Sequence, residues 1–186
     1  MKSLLAPFIA IAILGFPVAQ AETEGFTGSC ETRICSWRRP VVEPPPGWFR
    51  DEGASRHYKL NAFAPNGSSF ADAPAVMYAL AVEKSSLPEK SLAAFLGRGH
   101  PSASGNGGTE VTPKPPLKTG DGKSFTALRY APRPGSKEQH ETVAYGEEGD
   151  YFLVFVVSAR TAKYLDAAYP SFVDLLRGYT EVSKQR

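Results

Sequence analysis

Tyr151-Phe152-Leu153-Val154-Phe155-Val156-Val157 is the run that most constrains the fold. With Ser158 it forms a segment of β-branched and aromatic residues that has no polar face to offer solvent. Such a segment reads as a central strand buried on both faces, so the chain must supply strands beside it and cover above and below it. Glu141 to Tyr145 provides one neighbour, pairing across an expected turn of Gly146-Glu147-Glu148-Gly149-Asp150.

Ala75 to Val82 is a second strand with period two. Val76, Tyr78, Leu80 and Val82 share one face, and Ala75, Met77, Ala79 and Ala81 share the other. The alanine-rich face permits close approach of a helix, expected over Pro88 to Leu96. There Leu92, Phe95 and Leu96 form an apolar stripe, Ser86-Leu87-Pro88-Glu89 fits a capping box, and Gly97 is a natural stop. Ser124 to Tyr130 reads as a strand with Phe125/Ala127 and Leu128/Tyr130 on opposite faces. Trp48-Phe49-Arg50 and Tyr58 to Phe63 read as short strands. A closing helix is capped by Thr161 and carries Tyr164, Leu165 and Ala168, then Phe172, Leu175, Leu176 and Tyr179. Pro170 either kinks it or restarts it. Gly 17 and Pro 16 concentrate outside these segments, which predicts long loops at 64–74 and 99–116. The pattern specifies an α+β fold, a mostly antiparallel sheet flanked by helices.

The order of these elements resembles the PsbP-like family. Pro46-Gly47-Trp48 leads into the first strands, and a strand and helix follow in mid-chain. A late hairpin containing Tyr151-Phe152-Leu153-Val154-Phe155 then feeds a Tyr-rich helix ending Pro170-Ser171-Phe172-Val173-Asp174-Leu175-Leu176. The resemblance covers about residues 46–180. It implies an α/β/α sandwich and a non-enzymatic, exported assembly or stabilising subunit. The Cys30/Cys35 pair and the Gly-rich loop depart from the family pattern, and no binding residue is carried over.

The N-terminus supports export independently. Met1-Lys2 is followed by an apolar run from Leu4 to Phe16, and Ala19-Gln20-Ala21 is an A-x-A cleavage site. Residues 1–21 are therefore expected to be a signal peptide cleaved at Ala21/Glu22, which would place the protein in a periplasm or outside the cell. No second long apolar stretch follows to span a bilayer. Residues 22–47 read as an extended Pro-rich leader, and 48–186 as one α+β domain. In an oxidising compartment Cys30 and Cys35 are expected to form a small local disulfide. The C-x4-C spacing is not that of a thiol oxidoreductase.

The formal charge of +2, with Lys2 among the residues to be removed, leaves no electrostatic footprint for nucleic acid. Gly120-Asp121-Gly122-Lys123-Ser124 has Leu117 where a phosphate loop requires glycine, so it reads as a hairpin turn. His57, His100 and His140 show no metal-ligand spacing, and neither a metal nor a cofactor is expected. Glu147, Glu148 and Asp150 read as a solvated acidic turn. Ser158 has the best geometry for a nucleophile, but helix entry or local capping is the favoured account of its position. Trp37, Arg38 and Arg39 form the patch with a recognition character, because Trp and Arg are enriched at interface hot spots. The expected function is thus a non-catalytic exported domain that binds or stabilises an envelope partner. The alternative is a small-ligand-binding domain with a pocket between the sheet and the 99–116 loop. An envelope hydrolase would require Ser158, a histidine and an acidic residue to converge.

Overall fold

The computed structural model describes residues 23–30, 33–97 and 109–179, and the side chains of 23–37 lie outside that description. The expected signal peptide, the Cys30–Cys35 disulfide, the Trp37 ring and His100 therefore all lie outside the described residues.

A hairpin of β1 (Thr23–Cys30) and β2 (Arg33–Pro40) precedes the main sheet, so the expected leader folds back on itself. The main sheet comprises β3 (Trp48–Arg50), β4 (Asn61–Pro65), β5 (Ala75–Glu83), β6 (Thr109–Lys118), β7 (Ser124–Pro132), β8 (His140–Glu148) and β9 (Tyr151–Ala159). Its strand order is β3-β4-β5-β9-β8-β7-β6, and every pairing is antiparallel. The strand of highest apolar content, β9, is thus the middle of seven. It is in register with β5 from Ala75↔Ala159 to Glu83↔Tyr151, and with β8 along its other side.

Alternation along β9 divides the core. Leu153, Phe155 and Val157 face α3 (Ala162–Arg177), whose Leu165, Phe172, Leu175 and Leu176 are buried against them. Met77, Ala79, Phe125 and Ala144 complete this layer from neighbouring strands. On the opposite face Val154 and Val156 join Tyr130, Val143 and Tyr145, with Leu92, Phe95 and Leu96 of α2 (Leu92–Gly97) packed over them. Phe95 stacks on Phe152 with centroids 4.6 Å apart. The alanine-rich face of β5 therefore accepts α3, and α2 takes the Tyr78/Leu80 face, the reverse of the expected assignment.

Other local expectations also shift. α2 begins at Leu92, later than expected: Leu87 before Pro88 is extended (φ −119°, ψ 151°), as the proline favours, and residues 87–91 remain outside the helix. Ser91, not Ser86, faces the first turn, its Oγ accepting from the Ala94 N–H at 3.3 Å. Tyr58, expected to open a strand running to Phe63, instead ends α1 (Glu52–Tyr58), and the strand begins at Asn61. The loop expected at 99–116 gives way at Thr109 to strand β6. Pro113, Pro115 and Pro116 are tolerated there because β6 is an edge strand, and the register breaks between Lys114 and Leu117. The β8–β9 turn shrinks to Gly149-Asp150, with Gly149 at φ 52°, while Gly146 to Glu148 continue the strand. Thr161 caps α3 as expected, its side chain accepting from the Tyr164 N–H at 3.3 Å. Pro170 lies within one continuous helix.

Both edges of the sheet are blunted. β3 has three residues, and β6 carries three prolines with Lys114 and Lys118. Such edges resist pairing with another strand.

Candidate functional site

Asp51 organises the most conspicuous surface feature. Its Oδ1 accepts from the Ala54 N–H at 2.9 Å and caps α1, and its Oδ2 accepts from the Phe70 N–H at 3.2 Å. One carboxylate thereby fixes both the helix that carries His57 and Tyr58 and the loop that carries Phe70. Lys59 ends the helix in the left-handed region at φ 58°. Ser55 is fully buried and accepts from the Ala62 N–H at 3.0 Å, tying α1 to β4.

On this frame four rings form a row. His57 meets Tyr58 edge-on at 4.6 Å, Tyr58 lies 5.8 Å from Phe70, and Phe70 meets Tyr78 edge-on at 6.4 Å. These separations lie within the range of favourable aromatic pairs. Tyr58 is 56% exposed although it is held in place from two sides. A large, pre-ordered and exposed ring has little entropy to lose on contact with a partner.

The row ends at a buried polar cluster. The Tyr78 hydroxyl donates to Glu141 Oε1 at 3.4 Å, and Glu141 is only 6% exposed. The Tyr130 and Tyr145 hydroxyls share a hydrogen bond of 3.0 Å. Burial pushes the Tyr78 and Tyr145 phenols well above their ordinary value, reinforced by the Glu141 charge at Tyr78 and by the Tyr130 hydrogen bond at Tyr145. Burial raises Tyr130 too, with the Tyr145 hydrogen bond acting against it. All three remain protonated at physiological pH.

The residues singled out from sequence are dispersed. Arg38 is exposed, its guanidinium 5.6 Å from the Tyr151 ring centroid. Arg39 is 5% exposed and lies 3.8 Å from Glu52, joining the hairpin to α1. The two arginines thus differ in setting, and Arg39 is a buried joint. Glu147 pairs with Lys84 at 2.9 Å, and Glu148 accepts from the Tyr179 hydroxyl. The acidic turn is therefore tied to side chains on other elements. Residues 120–123 form a turn, with the Thr119 N–H donating to the Lys123 carbonyl at 3.0 Å and Gly122 at φ 88°.

Ser158 stands opposite Glu141 in the β8–β9 register. His140 precedes Glu141 on the same strand, so alternation sends its ring to the other face. His57 lies at the far end of the aromatic row. Among the described residues the Ser–His–acid convergence that a hydrolase requires is not assembled, and no three His, Cys, Asp or Glu side chains gather as a metal site. Among the described residues, also, no helix is long and apolar enough to cross a membrane.

The aromatic row escaped the sequence reading because its members come from a helix, a loop and a strand. Asp51-Glu52 was the available signal, a capping aspartate followed by an acidic first turn.

The two backbone N–H bonds, Ala54 first and then Phe70, hold the Asp51 carboxyl below its ordinary value of 3.8 against the opposing effect of burial. A depressed carboxylate contributes stability above the unfolded-state value and loses it as pH falls through the folded value. Asp51→Ala is therefore expected to cost about 1 kcal/mol at neutral pH. The gap from the parent should narrow below the ordinary value of 3.8, whereas Asp51→Asn should retain most of the cap. Urea denaturation at neutral and acid pH measures both.

No protein-family model matches the chain. A search of curated proteins likewise finds no match. Among solved structures, the chain matches the Saccharomyces cerevisiae Ran-binding protein Mog1p with a TM-score of 0.42 and 10% identity, over 84% of this chain and 90% of that one.

Proposed function

We propose that the chain is an exported, non-catalytic domain of PsbP-like α/β/α type that binds and stabilises a protein partner in the cell envelope. The observation that carries this reading is the exposed, pre-ordered ring of Tyr58, locked between His57 and Phe70. Arg56 beside it adds a cation to the same exposed turn of α1. The placement of α3 and α2 on opposite faces supports the sandwich, and the A-x-A site after a short apolar run supports export. The blunted sheet edges favour docking through this surface over strand addition.

Cross-linking of the tagged protein in its native envelope, followed by mass spectrometry, tests the reading. One dominant partner is expected, with capture reduced about tenfold or more by Tyr58→Ala, as for a hot-spot residue. The variant should keep the parent's melting temperature, because the ring is largely in solvent. Capture that survives Tyr58→Ala but is lost in a Trp37→Ala/Arg38→Ala variant would move the surface to the hairpin. The absence of any reproducible partner would overturn the proposal.

A further inference from the structure

A cleft of about 180 Å³ opens between α3 and the β6–β8 side of the sheet, on the face opposite the tyrosine–glutamate cluster. It is lined by Lys114 of β6, Arg129 of β7, Thr142 of β8, and Asp166 and Tyr169 of α3. Each of three adjacent strands and the helix thus contributes a polar side chain to one cavity. Register accounts for the convergence: Arg129 is opposite Thr142, and Lys114 is opposite Ala127, two residues along β7 from Arg129 on the same face. Thr142 is 1% exposed and lies deep in the cavity, while Lys114 and Arg129 are half-buried.

The charges do not cancel. Arg129 Nη1 meets Asp166 Oδ1 at 2.8 Å, and none of the ion pairs among the described residues includes Lys114. The cleft therefore holds two cations against one carboxylate. A guanidinium has five N–H donors, and Asp166 engages only part of that fork. The cleft has room for a small oxyanion.

We propose that this cleft is a binding site for a small oxyanion, a carboxylate or phosphate group, held by Lys114 and the outward part of Arg129. Tyr169 flanks the ligand and Asp166 sets the orientation of the guanidinium. This site is independent of the aromatic row, and either can fail without the other.

The test is an amide NMR titration of the purified protein with sodium acetate and, separately, sodium phosphate at constant ionic strength, with sodium chloride as the control. Saturable shifts confined to the amides of Arg129, Thr142 and Tyr169 are expected for at least one of the two anions. The anion that saturates identifies the group as carboxylate or phosphate. Lys114→Met should weaken that binding at least tenfold. Asp166→Asn, which keeps an acceptor oxygen for Arg129 but removes the competing negative charge, should tighten it several-fold and so guards against a trivial loss of structure. Shifts that chloride reproduces, that fail to saturate, or that persist unchanged in a folded Lys114→Met protein would overturn the proposal.

Discussion

Phe155→Ala is expected to destabilise the protein by about 3–5 kcal/mol, the range for removing a buried aromatic ring from a core. Phe155 is fully buried at the middle of the central strand and meets Phe125 and Tyr179 edge-on at 5.7 and 5.5 Å. The cost should fall toward the upper part of the range because the site cannot collapse. Its register neighbours on both sides are alanines, Ala79 on β5 and Ala144 on β8. Neither can extend into the vacated volume, and rigid strands hold both in place. Urea denaturation followed by tryptophan fluorescence and circular dichroism measures the loss. An unchanged dependence on denaturant would show that the cavity, and not a different unfolding reaction, is responsible. A loss below about 1 kcal/mol would mean that the ring does not fill the core as described.

Phe155 also illustrates what was legible from sequence. The run from Tyr151 to Ser158 has no polar face, and it occupies the position such a run requires, between β5 and β8 with a layer on each side. The alternation of Ala75 to Val82 likewise marked the two faces of β5 correctly. The assignment of helices to those faces was not legible, because a strand buried on both sides does not say which helix covers which. The alanines of β5 suit the close approach of any helix, and α3, the longer of the two, occupies that face. Prolines misled at β6, where Pro113, Pro115 and Pro116 read as loop. Proline is excluded from strands only where its missing N–H is needed, and the outer side of an edge strand does not need it.

The functional surfaces were harder to read for a related reason. Trp37, Arg38 and Arg39 stood out because they are consecutive, yet in a strand consecutive residues diverge. Arg38 lies over Tyr151 while Arg39 is buried beside Glu52. The rings of Tyr58, Phe70 and Tyr78 are separated in sequence by strand β4 and by the loop into β5, and the Asp51 carboxylate brings the first two together. The cleft draws Lys114, Arg129, Thr142 and Asp166 from four elements. Contacts of this kind depend on register between strands distant in sequence, which local pattern does not encode.

Register has its sharpest consequence at Gly146, where alanine is expected to cost about 1–3 kcal/mol. Gly146 is a strand residue on β8, and the Phe125 ring of β7 rests directly over it. A Cβ built at Gly146 would lie 2.4 Å from two atoms of that ring, far inside van der Waals contact. The ring cannot swing aside, because Phe155 and Tyr179 hold it edge-on at 5.7 and 6.4 Å and it is fully buried. Alanine would also reduce the freedom of the unfolded chain, a gain of about 0.4–1 kcal/mol at sites with room for it. Here the clash dominates that gain and sets the sign. The interaction can be isolated with Phe125→Leu, which removes the ring and lowers stability by leaving a cavity. In the Gly146→Ala background the same change removes the clash as well, so the double variant should be more stable than the sum of the single losses implies. A coupling of about 0.5–3 kcal/mol is expected from chemical denaturation of the four proteins. Strict additivity would show that the glycine is not required by the ring above it.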